Sequence, residues 1–287
     1  MIINNQNIKT AFMGSSEFSV IVLENLQKAG LVPDLIVSSP DKPRGRKMIV
    51  TPNEVKTWAL KNNIPVVTPD KLKNLDFLEI IKNHDLQIVA SYGKIIPSSV
   101  LSCAKYGCLN IHPSLLPKYR GPSPLQTTIL NNDRNTGVSI MLLDAEVDHG
   151  PILAQENISI DNWPVSFIEL EKITAEVGTK LLVKILPDWI NNSLKAQEQD
   201  HNKATFTKKI EKTDGLVDLT NKPMDNFLKT KAYSEWPNTY FMVKHKDRDI
   251  RVIIKDAKLE AGQFVPTRVI PEGRKEMDYK SFLQGLK

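Results

Sequence analysis

Residues 107–124 read "GCLNIHPSLLPKYRGPSP", and the change of character within this stretch decides how the chain is interpreted. An apolar run that suits a buried strand ends in Asn110 and His112, and a proline-rich segment with an arginine and a glycine follows. In an extended strand, side chains two residues apart point to the same face. The stretch therefore predicts a strand that presents an amide and an imidazole side by side at its end.

The surrounding sequence alternates between short apolar strands and segments with helical periodicity. Near-continuous apolar strands are predicted at 8–15, 31–39, 86–93 and 107–113, with amphipathic helices between them. This pattern predicts an α/β fold with a Rossmann-like, mainly parallel sheet covered by helices on both faces. Ligands of such sheets bind outside the carboxyl ends of the strands, where Asn110 and His112 fall.

The pattern changes after residue 190. Residues 191–205 are polar and without periodicity, which predicts a linker. The stretch "NTYFMVKHKDRDIRVIIKDAKL" (238–259) then alternates as strand, charged turn and strand. We therefore predict a catalytic domain over 1–190 and a small C-terminal β-barrel of the oligonucleotide-binding type over 206–287.

The charge is distributed unevenly between these two predicted domains. The net charge is +5, yet residues 1–190 hold 19 Lys and Arg against 19 Asp and Glu, whereas residues 191–287 hold 19 against 14. A basic second domain indicates contact with a polyanion, and the alternative is a surface that lysines merely keep soluble. Charge alone does not decide between the two.

Several classes of protein are not expected. The two cysteines, Cys103 and Cys108, lack the partners of a zinc set, so we expect reduced thiols, no metal and a cytoplasmic protein. We expect no secretory signal and no membrane segment, because no sufficiently long apolar stretch is found. The turn "MGSS" (13–16) lacks G-x-G-x-x-G, so no nicotinamide or flavin site is expected.

A third polar residue, Asp148 in "DAEVDHGPI" (144–152), is expected to close on Asn110 and His112 from a loop. A neutral imidazole can accept a proton from an amine, and an amide NH₂ can stabilise an oxygen on which negative charge grows. A carboxylate beside the imidazole stabilises its protonated form. Without a nearby Ser or Cys nucleophile, direct transfer to an amine is favoured, although an isolated Asn-x-His is more often only a satisfied strand end.

Three segments together resemble the folate-dependent formyltransferases: "LNIHPSLLPKYRG" (109–121), "VDHG" (147–150) and "ASYGKIIP" (90–97). The resemblance implies that Asn110, His112 and Asp148 are catalytic and that 10-formyltetrahydrofolate is the formyl donor. His149 is expected to shape the loop, while Arg120 either holds the turn or contacts a ligand. The folate contacts that the resemblance implies are Ala90, Tyr92, Gly93, Ser114, Leu115, Leu116 and Pro117.

Further segments resemble the branch of this family that acts on methionyl-tRNA: "SPDKPRGRKMIVTPNEVK" (39–56), "FTKKIEKTDGLVDL" (206–219) and "PEGRKEMDYKSFLQG" (271–285). They imply initiator methionyl-tRNA as the acceptor and a monomeric enzyme. The alternatives are an amino-sugar formyltransferase with the same three residues and an inactive folate- or RNA-binding protein. The implied tRNA contacts lie in a basic loop at 40–52 and are Lys42, Arg44, Arg46 and Lys47.

Overall fold

The computed structural model describes residues 8–44, 48–220, 222–245 and 247–286. Its strands are between two and thirteen residues long. The strands are β1 Thr10–Met13, β2 Leu35–Val37, β3 Lys42–Arg44, β4 Ile49–Thr51, β5 Val66–Val67, β6 Leu86–Val89, β7 Cys108–His112, β8 Thr136–Leu142, β9 Ile152–Ile158, β10 Thr239–His245, β11 Arg248–Glu260, β12 Gln263–Pro271 and β13 Met277–Asp278.

The large sheet has the order β5-β2-β1-β6-β7-β8-β9. The five strands from β5 to β7 run parallel, and β8 and β9 are antiparallel to their neighbours. Every residue of β1 and β6 is buried, as expected for parallel strands covered on both faces. The predicted mainly parallel α/β sheet is confirmed, and the carboxyl ends of β1, β6 and β7 meet at one edge.

Helices pack on both faces of this sheet through their apolar sides. One hydrophobic cluster includes Leu23 and Leu182, and a second cluster on the opposite face includes Phe77 and Val100. Burial of each such side chain stabilises the fold by about 1.5–3 kcal/mol. The helices are α1 Glu17–Lys28, α2 Glu54–Lys61, α3 Leu75–Ile81, α4 Ser98–Leu101, α5 Pro124–Leu130, α6 Phe167–Ile190, α7 Pro223–Ala232 and α8 Tyr279–Gln284.

The two faces of β7 have different environments. Leu109 and Ile111 belong to the hydrophobic cluster that includes α6, and Gly178 of that helix approaches Ile111 closely. A Cβ added at Gly178 would lie 2.5 Å from Ile111 Cγ2, so the helix packs here because no side chain intervenes. Asn110 and His112, at the alternate positions, consequently face away from α6.

The segment predicted as a long basic loop at 40–52 contains a hairpin. β3 pairs with β4 in antiparallel register, with Lys42 opposite Thr51 and Arg44 opposite Ile49. The β-branched run Ile49, Val50 and Thr51 favours this pairing, which the many charges of the segment obscured in the sequence. The connection between β2 and the helix Glu54–Lys61 therefore contains a short two-stranded antiparallel ribbon.

Contacts divide the chain into two compact units. Unit 1 contains the large sheet, and unit 2 contains the C-terminal sheet. Unit 1 comprises Met1–Pro122, Thr136–Ile158 and Glu171–Phe206, and unit 2 comprises Ser123–Asn135, Ser159–Leu170 and Thr207–Lys287.

This division differs from the predicted one in two ways. Residues 191–205, predicted as a linker, belong to unit 1, because backbone hydrogen bonds attach them to it. Two segments from the N-terminal two thirds, 123–135 and 159–170, belong to unit 2, because α5 packs against α7. The apolar cluster they share contains Leu125, Ile129, Trp163, Val165, Leu170, Leu228, Ala232 and Tyr233.

The C-terminal part of unit 2 is an antiparallel sheet in the order β10-β11-β12-β13. Val252, Phe264 and Phe282 are central to its own hydrophobic cluster. The predicted β-rich C-terminal domain is thereby confirmed. Among the helices within the described ranges, none has both the length and the apolar character needed to cross a bilayer.

Candidate active site

The site is built around the end of β7, where Asn110 and His112 lie on one face. Both are buried, at 8% and 4% exposure, and neither belongs to the hydrophobic clusters that flank them. The side-chain amide of Asn110 has two N–H donors and an acceptor oxygen that can bond to a ligand.

His112 is held between a backbone carbonyl and a carboxylate. Its Nε2 lies 3.0 Å from the carbonyl oxygen of Tyr119, and its Nδ1 lies 3.6 Å from Oδ1 of Asp148. A carbonyl oxygen only accepts, so Nε2 donates and carries the ring proton in the neutral form. Nδ1 is then the basic atom, and a proton taken up there would face the Asp148 carboxylate.

Asp148 comes from the nine-residue connection between β8 and β9, which reaches back to β7. Its Oδ2 accepts a hydrogen bond of 2.7 Å from the backbone N–H of Gly121. Its φ of 48° is left-handed, and a Cβ added at Gly150, two residues later, would collide with the Leu142 carbonyl oxygen. The carboxylate is therefore presented by a backbone conformation that few sequences adopt.

One residue that contacts this loop was not predicted from the sequence. Gln199, within the predicted linker, is 5% exposed and donates from Nε2 to the carbonyl oxygens of Asp148 at 3.0 Å and Gly150 at 2.7 Å. Its Oε1 accepts from Nε and Nη2 of Arg120. The available signal was a glutamine two residues after another glutamine in a polar stretch, which is too weak to single it out.

Arg120 and His149, whose roles the sequence left open, lie in one network with His201. Arg120 Nη2 lies 2.9 Å from His201 Nδ1, and the rings of His201 and His149 stack with centroids 4.1 Å apart. His149 Nδ1 is 2.6 Å from Oδ2 of Asp144. Arg120 is 3% exposed, so the structure places it in a supporting position beneath the loop.

The predicted folate segment at 114–117 is fixed by internal hydrogen bonds. The Oγ of Ser139, which lies opposite His112 in the β7–β8 pair, donates to the Ser114 carbonyl oxygen at 2.6 Å and accepts from Leu116 N at 3.0 Å. Gln155 Nε2 donates to the Leu116 carbonyl oxygen. Ser114 and Leu116 are buried, while Leu115 and Pro117 are partly exposed. These hydrogen bonds fix the backbone of the segment that follows His112.

The predicted pterin loop follows β6, beside Asn110 in the sheet. The Ala90 and Tyr92 side chains lie in the hydrophobic clusters, and their carbonyl oxygens accept from Ser19 Oγ and Ser15 Oγ. The side chains of these two residues therefore pack in the core and support the loop, and their contact with folate stays a prediction. Burial raises the pKa of Tyr92 to about 12.

Further along the same loop, the chain is open to a ligand. Gly93 has a φ of 73°, and a Cβ added there would meet no atom within 4 Å. The side chain of Ile95 is 81% exposed. An exposed apolar side chain and open backbone in the loop after β6 could accommodate a flat, partly apolar ring.

Two of the four predicted tRNA contacts, Lys42 and Arg44, belong to β3 of the hairpin. Lys42 is exposed at its start, and Asp41 pairs with Lys56 of α2 at 2.8 Å. Met48, Ile49 and Val50 are all more than half exposed. The backbone of Arg44 lies in β3, and Arg46 and Lys47 lie outside the described residues.

The cysteines and acidic residues offer no metal site within the described ranges. No group of three or more His, Cys, Asp and Glu side chains there has the proximity that an ion needs. Cys108 is buried, which raises its thiol pKa, and Cys103 is partly exposed with Sγ 3.0 Å from the Ser99 carbonyl oxygen.

A family match and comparison with known proteins indicate the same family. Residues 8–186 match the model of the formyl transferase domain. The chain is 37% identical over 255 residues to the methionyl-tRNA formyltransferase of Sulfurihydrogenibium sp. (strain YO3AOP1), covering 88% of this chain and 80% of the relative. It is 40% identical over 232 residues to the methionyl-tRNA formyltransferase of Thermotoga maritima, covering 80% and 74%.

A solved structure also shares the fold. An N-formyltransferase from Helicobacter canadensis, in complex with folinic acid and dTDP-3-aminofucose, superposes with a TM-score of 0.63 at 20% identity, over 88% of this chain and 89% of that one. At this identity the likeness shows the fold alone, whereas the curated relatives and the domain match together show the family. The chain belongs to the formyl transferases and, within them, to the methionyl-tRNA formyltransferase family.

Proposed function

We propose that this protein transfers a formyl group from 10-formyltetrahydrofolate to the α-amino group of the methionine on initiator methionyl-tRNA. The single observation that carries the proposal is the grouping of Asn110, His112 and Asp148 at the end of β7, in a member of this family. An amide donor, a base and a carboxylate beside the base are what transfer of an acyl group between two nitrogens requires.

The geometry of His112 indicates the path of the proton during the reaction. The reaction forms a bond between the methionine nitrogen and the formyl carbon and breaks the bond from that carbon to folate N10. His112 Nδ1 takes the proton that the amine loses and returns it to the departing nitrogen. Asp148, 3.6 Å from Nδ1, stabilises the imidazolium between these two events.

Asn110 acts on the formyl oxygen. The formyl carbon of the donor is bonded to folate N10, which is the nitrogen that departs. As the amine attacks, negative charge grows on the carbonyl oxygen, and the Asn110 NH₂ donates a hydrogen bond to it. Because Asn110 is 8% exposed, water competes little for this hydrogen bond, and the bond therefore stabilises the transition state more strongly.

Two features support tRNA as the carrier of the amine. The hairpin presents Lys42 and the exposed apolar run from Met48 to Val50, and the sequence between them adds Arg44, Arg46 and Lys47. The net charge of residues 191–287 is +5. Basic residues bind phosphates in a salt-dependent manner, so we assign the hairpin and the domain at 206–287 to tRNA binding.

The rival acceptor, an amino sugar carried on a nucleotide, rests on likeness of fold alone. The Helicobacter canadensis enzyme, whose structure contains dTDP-3-aminofucose, shares 20% identity with this chain. The curated relatives at 37% and 40% identity are named for methionyl-tRNA. We therefore propose a monomeric, cytoplasmic enzyme of translation initiation.

An acceptor panel tests the proposal. The purified protein is incubated with 10-formyltetrahydrofolate labelled in the formyl group and with initiator methionyl-tRNA, elongator methionyl-tRNA or dTDP-linked amino sugars. Label should appear on the initiator tRNA and be recovered as N-formylmethionine after deacylation. Label on the sugar nucleotide with none on tRNA would transfer the assignment to the sugar enzymes, and label on no acceptor would favour a binding protein.

A further inference from the structure

The segment from Gln197 to Thr205, predicted as part of a linker, contacts two loops that surround His112. At one end, Gln197 and Ile152 exchange two backbone hydrogen bonds of 2.8 Å. At the other end, Arg120 N donates to the Thr205 carbonyl oxygen at 2.9 Å, and Tyr119 N donates to Thr205 Oγ1 at 2.8 Å. One loop carries Asp148, and the other supplies the Tyr119 carbonyl oxygen that holds His112.

Between these ends, the buried amide of Gln199 uses both of its polar atoms. Nε2 donates to the carbonyl oxygens of Asp148 at 3.0 Å and Gly150 at 2.7 Å. Oε1 accepts from Arg120 Nε at 3.1 Å and Nη2 at 2.7 Å. Carbonyl oxygens only accept and a guanidinium only donates, so these partners fix the orientation of the amide.

The loop that Gln199 contacts needs such support. Asp148 has a left-handed φ of 48°, and Gly150 lies where a Cβ would collide with the Leu142 carbonyl oxygen. Hydrogen bonds to the two carbonyl groups on either side of His149 fix the orientation of both peptide planes. Those planes determine whether the Asp148 carboxylate reaches His112 Nδ1 and Gly121 N.

We propose that Gln199 is a positioning residue for catalysis, which holds Asp148 beside His112 and is itself oriented by Arg120. The inference rests on the proposed role of Asp148 in formyl transfer. A neutral amide is the group of this size that donates twice to carbonyl groups and accepts twice from a guanidinium. A carboxylate at this place would set its oxygens against the two carbonyl oxygens and release the loop.

The test uses the full chain and compares Gln199→Glu with Gln197→Glu, whose side chain is exposed two residues earlier. Steady-state kinetics with methionyl-tRNA and folate, folate affinity and the melting temperature are measured for each. For Gln199→Glu we expect kcat to fall about 10- to 50-fold, with both KM values and the folate Kd within about twofold. Gln197→Glu should resemble the wild type, and Gln199→Met should show the loss even if Gln199→Glu folds poorly.

A double-mutant cycle separates positioning from a purely structural role. In an Asp148→Asn background, Gln199→Met should lower kcat by less than about threefold, because the carboxylate that Gln199 positions has already been replaced by a neutral amide. A full, independent loss in that background would overturn the inference, as would wild-type kcat in Gln199→Met. If Asp148→Asn alone were near wild type, the assigned role of Asp148 would fail first, and the two failures are thereby distinguishable.

Discussion

Substitution of Asp148 by Asn removes a charge beside His112 with little change in shape. The Asn side chain retains an oxygen that can accept the hydrogen bond from Gly121 N, which is 2.7 Å long in the native protein. What disappears is the negative charge 3.6 Å from His112 Nδ1. The fold should therefore persist while the imidazolium that forms during transfer loses its counter-charge.

The size of the effect follows from distance and burial. Two unit charges at this separation interact by about 4 to 5 kcal/mol at an effective dielectric constant of about 20. The side chains of His112 and Asp148 are 5% and 14% exposed, so solvent screens part of this energy. A remaining loss of about 3 to 4 kcal/mol corresponds to a fall in kcat of about 10²- to 10³-fold.

The chain provides a matched control in the same loop. Asp144 also pairs with an imidazole, since its Oδ2 lies 2.6 Å from His149 Nδ1, but it does not face His112. Formylation of methionyl-tRNA is measured for Asp148→Asn and Asp144→Asn at saturating substrates, with folate affinity as a check of integrity. Asp144→Asn should stay within about fivefold of the wild type. Equal losses in both variants would mean that the loop, and not the charge at His112, controls the rate.

Gly178→Ala should destabilise the protein by up to about 2 kcal/mol in urea unfolding, because the new methyl group would lie 2.5 Å from Ile111 Cγ2 and crowding outweighs the helix propensity gained. An unchanged midpoint would contradict the close packing. In the native protein, a thiol reagent should label Cys103 and leave Cys108 unmodified, because burial raises the pKa of the Cys108 thiol; rapid labelling of both before unfolding would show that β7 is open to solvent. Arg46→Ala should raise the tRNA KM without altering folate affinity, and the wild-type tRNA KM should rise steeply with salt while the folate KM stays constant. If Arg46→Ala left the tRNA KM unchanged and both KM values depended equally on salt, the hairpin would not be part of the tRNA site.

The parts of the structure that local pattern determines were predictable from the sequence. The central strands are apolar throughout, and the polar Asn110 and His112 interrupt one of them at its end. Strand periodicity alone places these two residues on one face, as the structure shows. The approach of Asp148 was expected from its place in a loop after a neighbouring strand, and the structure gives the distance and the left-handed backbone that bring it to His112.

The parts that depend on contacts between distant segments were not predictable. Gln199 lies in a polar stretch without periodicity, and its importance comes from carbonyl groups about 50 residues earlier in the chain. Likewise, the spacing of Leu125 and Ile129 is that of any amphipathic helix, and nothing in the local sequence indicates that these residues pack with α7. A polar segment was therefore interpreted as a linker, although its single buried side chain attaches it to the active-site loop.

We propose that Asn110, beside His112, stabilises the transition state of formyl transfer. The most direct measurement is the single-turnover rate of formyl transfer to methionyl-tRNA, by rapid quench with enzyme in excess, for the wild type and Asn110→Ala, with the folate Kd determined on the same preparations. We expect a rate constant lower by about 10²- to 10³-fold with an unchanged Kd, because the lost hydrogen bond matters most as charge develops on the formyl oxygen. A rate constant within about threefold of the wild type would contradict it and would place the chemistry elsewhere on the protein.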